Sequence, residues 1–170
     1  MYKYSLVILT VLLTLFVASC TSVNQTVLAE ENGSTQPVYN PSFLGEKGEN
    51  VNAVNGEFLI DTSVFQDNLP RFYNVTLPNG KMVFFFAVKD SNGSFHIAAN
   101  ACQVCSEAKM GFHAEEGMIV CNVCGNRYPI EKIATEKGGC NPVPVTPQAE
   151  IREGKIVIKV TDLEKIADYF

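Results

Sequence analysis

Five cysteines, Cys102, Cys105, Cys121, Cys124 and Cys140, fall within 39 residues as CQVC, fifteen residues, CNVC, then fifteen more ending in Gly138-Gly139 before Cys140. A CxxC turn points two thiolates at one centre. Two such knuckles brought together by a hairpin supply the tetrahedral set of four sulfurs that zinc or iron accepts. The interval sits at the low edge of the zinc-ribbon pattern. Three outcomes follow from the residues alone: inert zinc, a redox-active iron centre, or disulfides. Cys102, Cys105, Cys121 and Cys124 are the expected metal ligands. Cys140 lies between Gly139 and Pro142, in a tight turn that aims a side chain at a site. It replaces one member of the four, ligates a multi-iron cluster, or is an ordinary buried thiol.

Other chemistry is sparse. His113, with Met110 and Met118 nearby, raises a soft-metal reading such as copper, since thioether, imidazole and thiolate together suit Cu(I). The simpler reading makes Met118 a strand core residue and His113 part of a polar loop. His96 lies within FHIAA, on the side opposite Phe95 and Ile97, and reads as a solvent-facing or core histidine. Two histidines without a supporting motif make no Ser/His/Asp arrangement. No glycine-rich loop opens a helix as a phosphate cradle requires, and no paired carboxylates stand out. Hydrolase and kinase chemistry are therefore excluded from the leading readings, and no residue is assigned a catalytic role.

The compartment decides how the thiols are read. Lys3 supplies a positive start, Ser5 to Val17 is an almost unbroken apolar run, and Val17-Ala18-Ser19-Cys20 closes it. This pattern predicts a lipoprotein signal over residues 1–19, too short for a comfortable membrane span, with cleavage before Cys20. Cys20 then becomes the lipidated first residue of the mature protein and leaves the metal count. Its acyl chains, at about 0.8 kcal/mol per buried methylene, anchor the chain on the extracytoplasmic face of the cell membrane. Thiols outside the cytoplasm are usually oxidised in pairs, and five is odd, so metal ligation is favoured over a disulfide framework. The formal charge of −5 becomes −6 without the signal segment, because Lys3 leaves with it and 12 cationic residues face 18 acidic ones. That balance argues against a nucleic-acid partner or an acidic-membrane surface role.

The elements that must position the cysteines are mostly strands. Residues 20–55 are rich in Asn, Gly, Ser, Glu and Pro without a sustained period, and read as a tether spanning about 30 Å. Residues 56–170 form the expected cysteine-rich domain. Glu57 to Asp61 is a short strand candidate, and Arg71 to Leu77 puts Tyr73, Val75 and Leu77 on one face. Pro78-Asn79-Gly80 signals a hairpin. Met82 to Val88 is continuously apolar, as in a central strand, and Ser91-Asn92-Gly93 turns the chain into Phe95 to Ala99 and so to Cys102. Ser106 to Glu116 reads as a polar connection and Met118 to Val120 as a strand ending at Cys121, so each knuckle begins where a strand stops. Gly125 suits the left-handed position after the second knuckle. Tyr128-Pro129-Ile130 opens one or two helical turns through Ile133. Lys137 to Pro144 reads as an irregular loop. Ala149 to Val160 is a hairpin around Glu153-Gly154, and Thr161 with Glu164 forms a capping box for a closing helix through Tyr169. The fold class is α+β and mostly β: a small antiparallel sheet or meander, two CxxC knuckles in a zinc-ribbon-like arrangement, and a short C-terminal helix.

Together, ACQVC, the KMGF of Lys109 to Phe112, MIVCNVCGNRYPI and GGCNPVP resemble the FtrD-like family of membrane iron-sulfur domains. The likeness runs from about Phe72 to Phe170 and includes RFYNVTLPNGKMVFFFAVKDSNG and KIVIKVTDLEKIADYF. It implies a metal or iron-sulfur centre at Cys102, Cys105, Cys121 and Cys124, with Cys140, serving extracytoplasmic iron or other metal uptake beside a membrane transport or redox partner. In many members this domain is attached to membrane helices, whereas here the expected attachment is a lipid. The leading reading is thus a lipid-anchored redox or metal-handling protein holding iron or an iron-sulfur cluster. A structural zinc module for protein interaction is the alternative, and a thiol-disulfide oxidoreductase the third.

Overall fold

A computed structural model of the chain describes residues 42–136 and 138–170. The signal segment, Cys20 and the first part of the expected tether lie outside them. The architecture follows from the apolar run Met82–Lys89 (β4), whose six central residues are all buried. A strand alternates its side chains between two faces, so a strand apolar throughout requires a core on each side. Arg71–Thr76 (β3) and Phe95–Cys102 (β5) flank β4 in antiparallel register, with Phe72 opposite Phe86 and Phe86 opposite Ala98. This is the meander expected from the sequence, and it ends at Cys102.

On one face of the meander, Tyr73, Val75, Phe85, Ala87, Ile97 and Ala99 pack against Phe58, Ile60, Ile156, Ile158 and Leu163. Those partners come from Glu57–Asp61 (β2), Lys155–Lys159 (β11) and the short helix Val160–Glu164 (α1). With Glu150–Arg152 (β10) the two strands form a sheet of order β10-β11-β2. On the other face, Phe72, Phe86, Val88, Ala98 and Cys102 pack against Phe112, Ile119, Cys121, Ile130 and Ile133. Each fully buried phenylalanine contributes about 1.5 to 3 kcal/mol. Cys102 and Cys121 therefore belong to the second core, with Cys105 and Cys140 packed against it, and alternation along β5 puts Cys102 there while Ala101 faces the first.

Several local expectations change. Phe112–Glu115 (β6) is a strand, not a polar connection, and pairs with Met118–Cys121 (β7), Phe112 lying opposite Cys121. Glu116 and Gly117 both take left-handed backbone angles, which closes a two-residue hairpin that the charged run Glu115-Glu116 conceals. Arg127–Pro129 (β8) completes this sheet, and only Ile130–Lys132 follows as a single 3-10 turn, so Tyr128 and Pro129 are extended. Pro142–Pro144 (β9), within the segment read as a loop, is an edge strand on β5, with Cys102 opposite Pro142 and Ala98 opposite Pro144. Proline lacks an N–H but tolerates extended backbone, so an edge with an irregular register accepts it. The closing helix begins at Val160 after Lys159 and has no side-chain cap, and a separate 3-10 turn covers Ala167–Tyr169. Thr161 is therefore inside the helix rather than capping it.

The described part of the expected tether lies on the domain. Glu49–Asn50 (β1) runs parallel to β3, and the Asn50 side chain donates to Asn74 Oδ1 at 2.8 Å. Phe43 is buried and stacks on Phe84 at 4.2 Å between ring centroids. Mostly-β architecture with small antiparallel sheets and a short C-terminal helix is thus the observed fold class.

Candidate metal centre

Both knuckles begin at strand ends. Cys102 closes β5 and is buried, and its sulfur accepts from the Val104 N–H at 3.4 Å and the Cys105 N–H at 3.2 Å. Cys121 closes β7 and is buried as well. Burial pushes its thiol up, while the Val123 and Cys124 amides pull in the opposite direction. Gly125 takes the left-handed angle expected of it, and its N–H donates to the Cys121 carbonyl at 2.9 Å. Cys124 is exposed, and the Asn126 amide leads in holding its thiol below the usual range. Amides turned towards sulfur favour thiolate, the form that binds metal.

The five sulfurs make two overlapping groups. Cys102, Cys105 and Cys121 have their Sγ atoms within 4.8 Å of one another, and so do Cys105, Cys124 and Cys140. Cys105 is common to both, and its sulfur lies 3.8 Å from that of Cys140. A tetrahedral site with metal–sulfur bonds of about 2.3 Å has edges of about 3.8 Å, so this pair has the spacing of two ligands on one ion. The geometry brings Cys140 to the cysteines and sets it beside Cys124 and Cys105. Crowding shows in the thiols: the contact with Cys102, followed by burial and the contact with Cys140, raises Cys105 to about 12. Cys140 is raised chiefly by its contact with Cys124. Removing protons from such a group is favoured by a cation among the sulfurs, so this donor set fits a thiophilic metal.

The first variable residue of each CxxC fastens a loop. Gln103 donates its backbone N–H to the Asn141 carbonyl at 3.1 Å, and its side-chain oxygen accepts from the Gly138 N–H at 2.8 Å. Gly138 and Gly139 both have left-handed angles, 90° and 66°, that a side chain would strain, and this turn delivers Cys140. Asn122, in the second knuckle, donates its backbone N–H to the Gly111 carbonyl at 3.0 Å and its side-chain N–H to the Met110 carbonyl at 2.7 Å. Its Oδ1 lies 2.6 Å from His113 Nδ1. His113 thus serves the knuckle's support and joins neither cysteine group, and Met110 contributes its carbonyl there.

Sequence reasoning missed two supporting residues. Asn100, fully buried two residues before Cys102, accepts from the Phe112 N–H at 2.7 Å and donates to the Glu46 carbonyl at 2.9 Å. A buried amide among alanines was its only signal. Tyr128 packs against the same core as Cys105 and Cys140, its ring edge-on to Phe112 at 6.2 Å. Among the described residues no group lies within strict hydrogen-bond geometry of its buried hydroxyl, the Asn126 side chain coming nearest to that role; burial, which Asn126 opposes and the nearby cysteines reinforce, raises it to about 12. His96, read as core or solvent-facing, sets Nε2 2.9 Å from the buried Asp90 carboxylate in the β4–β5 turn, away from the cysteines.

A family model described as membrane iron-sulfur containing protein, FtrD-like, matches residues 65–170, more than half of the chain and all five clustered cysteines. No curated protein and no solved structure matches. Among the described residues, no helix is long and apolar enough to cross a membrane.

Proposed function

The chain belongs to the FtrD-like family of membrane iron-sulfur containing proteins; from that membership we propose that it is a metal-binding protein holding iron or an iron-sulfur cluster, and from the signal pattern ending at Cys20 that it is lipid-anchored and extracytoplasmic. Its role would be redox or metal handling in iron or other metal uptake, beside a membrane transport or redox partner. The observation that carries this reading is the convergence of five thiols in two groups sharing Cys105.

Each part of the site has a task under this reading. Cys102, Cys105 and Cys121 hold the inner side of the centre, and Cys105, Cys124 and Cys140 the outer. Phe86 and Phe112, both fully buried in the same core, keep water from the inner sulfurs. Low polarity and few water contacts limit the reorganisation that a change of charge requires. Cys124, the exposed member, leaves one side open to a partner or an incoming ion. A bound iron centre would supply one-electron exchange at that open side. The lipid on Cys20 would keep the domain within reach of the membrane.

Structural zinc is the second reading, since the 3.8 Å Cys105–Cys140 spacing suits a single tetrahedral ion of either metal. Anaerobic purification with elemental analysis and an absorption spectrum separates the two. Iron with visible sulfur-to-iron absorption supports the proposal. A colourless protein that contains zinc overturns it in favour of the zinc module. The same measurement on Cys140→Ser tests the outer group: a changed spectrum or metal content places Cys140 among the ligands, and an unchanged one removes it. Thiol-disulfide exchange is the weaker third reading, since Cys124 runs into Gly125 and a turn rather than into a helix. Reduction of insulin by the metal-free protein would revive it.

A further inference from the structure

Away from the sulfurs, three lysines line a cavity with an aromatic floor. A cavity of about 330 Å³ is lined by Phe43, Phe84 and Phe170 and by Lys47, Lys81 and Lys109, among others. Phe43 stacks on Phe84 with rings 14° from parallel, and Phe170 meets both, at 5.8 Å and 5.6 Å between centroids. Ligand sites are typically concave and largely apolar, with a few polar groups that fix orientation, and this cavity has that character.

The cations are poorly balanced. Lys81 pairs at 3.2 Å with Asp168, whose side chain is fully exposed to water, and such a pair is weak. Among the described residues Lys47 and Lys109 make no ion pair. Lys109 donates to the Tyr169 carbonyl at 3.1 Å. Burial, and then the nearness of Lys81, holds its ammonium below the usual lysine range, and Glu107 offsets this only in part. In a chain with more acidic than basic residues, this concentration of positive charge calls for an anion.

We propose that this cavity binds a small aromatic anion, an aryl phosphate or aryl carboxylate, with its ring on Phe43, Phe84 and Phe170 and its charge on Lys47, Lys81 and Lys109. Aromatic rings give the floor offset or edge contacts, and the ammonium groups give charge-assisted hydrogen bonds to the anionic oxygens. Neither contact depends on the metal. The site is nevertheless adjacent to the centre in one respect: Phe84 lies two residues before Phe86 on β4, which packs among the cysteine-side residues. The cavity and the core beneath the sulfurs therefore share one strand, β4, which itself carries no cysteine.

The test titrates 1-naphthyl phosphate into the full chain, metal-loaded and metal-free in turn, and follows the probe's fluorescence, which a sequence without tryptophan leaves uncluttered. Saturable binding at one site is expected. Inorganic phosphate and 2-naphthalenemethanol, each carrying half of the recognition, should compete roughly tenfold more weakly or worse. Lys109→Gln and Lys81→Gln should each lower affinity by about threefold to tenfold and flatten its salt dependence. Phe84→Leu should weaken the probe while leaving inorganic phosphate unaffected. Absence of saturable binding overturns the proposal, as does equal affinity in both lysine variants. Binding to phosphatidylglycerol vesicles that the lysine variants lose, without binding of the soluble probe, also overturns it and assigns the face to the bilayer. Because the probe is read in metal-loaded and metal-free protein alike, failure here leaves the metal reading standing.

Discussion

Cys105 is the residue on which the centre turns, because its sulfur belongs to both groups while each of the other four belongs to one. Cys105→Ser is therefore expected to lower retained metal roughly tenfold or more, and Cys124→Ser or Cys140→Ser to leave an altered but measurable centre; elemental analysis after anaerobic gel filtration checks this. Tyr128 carries a second prediction at this scale. A buried hydroxyl without a well-aligned partner is rare, and here it lies among the sulfur-side residues. Tyr128→Phe should shift the absorption bands or midpoint potential of the loaded centre while preserving the fold, whereas an unchanged spectrum and potential would put the hydroxyl out of the centre's reach. Both residues show where the sequence is legible. The spacing within each CxxC is local, so the ligand chemistry could be read from it. Tyr128 could not, since a tyrosine before a proline carries no mark of what its hydroxyl faces.

At the scale of elements, Asn100 ties β5 to β6 and to the segment before β1. Asn100→Ala strands the Phe112 N–H and the Glu46 carbonyl, at a cost of about 1 to 3 kcal/mol, measurable as a lowered melting temperature with weakened metal retention. The β4–β5 turn offers a pH test. Burial disfavours the Asp90 carboxylate, but His96 and the Ser94 and Asn92 amides outweigh it and hold its pKa below the ordinary 3.8. A depressed folded pKa means that the contribution to stability is present above the unfolded value and lost as pH falls through the folded one. The melting temperature should thus fall below about pH 4 through this group, and Asp90→Asn, which keeps an acceptor in the turn, should reduce that acid dependence in thermal melts. The hairpins around Asn79-Gly80, Asn92-Gly93 and Glu153-Gly154 were legible, as were β4 and β11. β6 and β9 were not: Glu115-Glu116 masks a turn made by left-handed angles, and Pro-Val-Pro becomes a strand only because β5 presents an edge to it.

At the scale of the whole molecule, one sheet separates two cores that differ in what holds them. The core shared with β2, β11 and α1 is aliphatic and aromatic throughout, whereas the other closes over sulfur. Metal ligation in thiolate sites contributes roughly 10 to 16 kcal/mol of apparent binding energy, enough to hold a short-stranded, loop-rich layer together. Chelation under reducing conditions should therefore release hydrogen-exchange protection first in β6, β7 and β8, with β2, β4 and β11 still protected; uniform loss would show instead that the two cores unfold as one. The sequence by itself determined the thiol donor set, the two knuckles, the strand-rich fold class and most turns, because these depend on residue type, spacing and backbone preference over a few residues. Only the tertiary structure decided which sulfurs are neighbours. Cys140 reaches Cys105 across 35 residues because Gly138 and Gly139 turn the loop and Gln103 holds it, and no local pattern encodes that meeting. The lysine and phenylalanine cavity is of the same kind, assembled from positions 43 to 170 by the stacking of layers, and proximity of that sort is set by packing rather than by order along the chain.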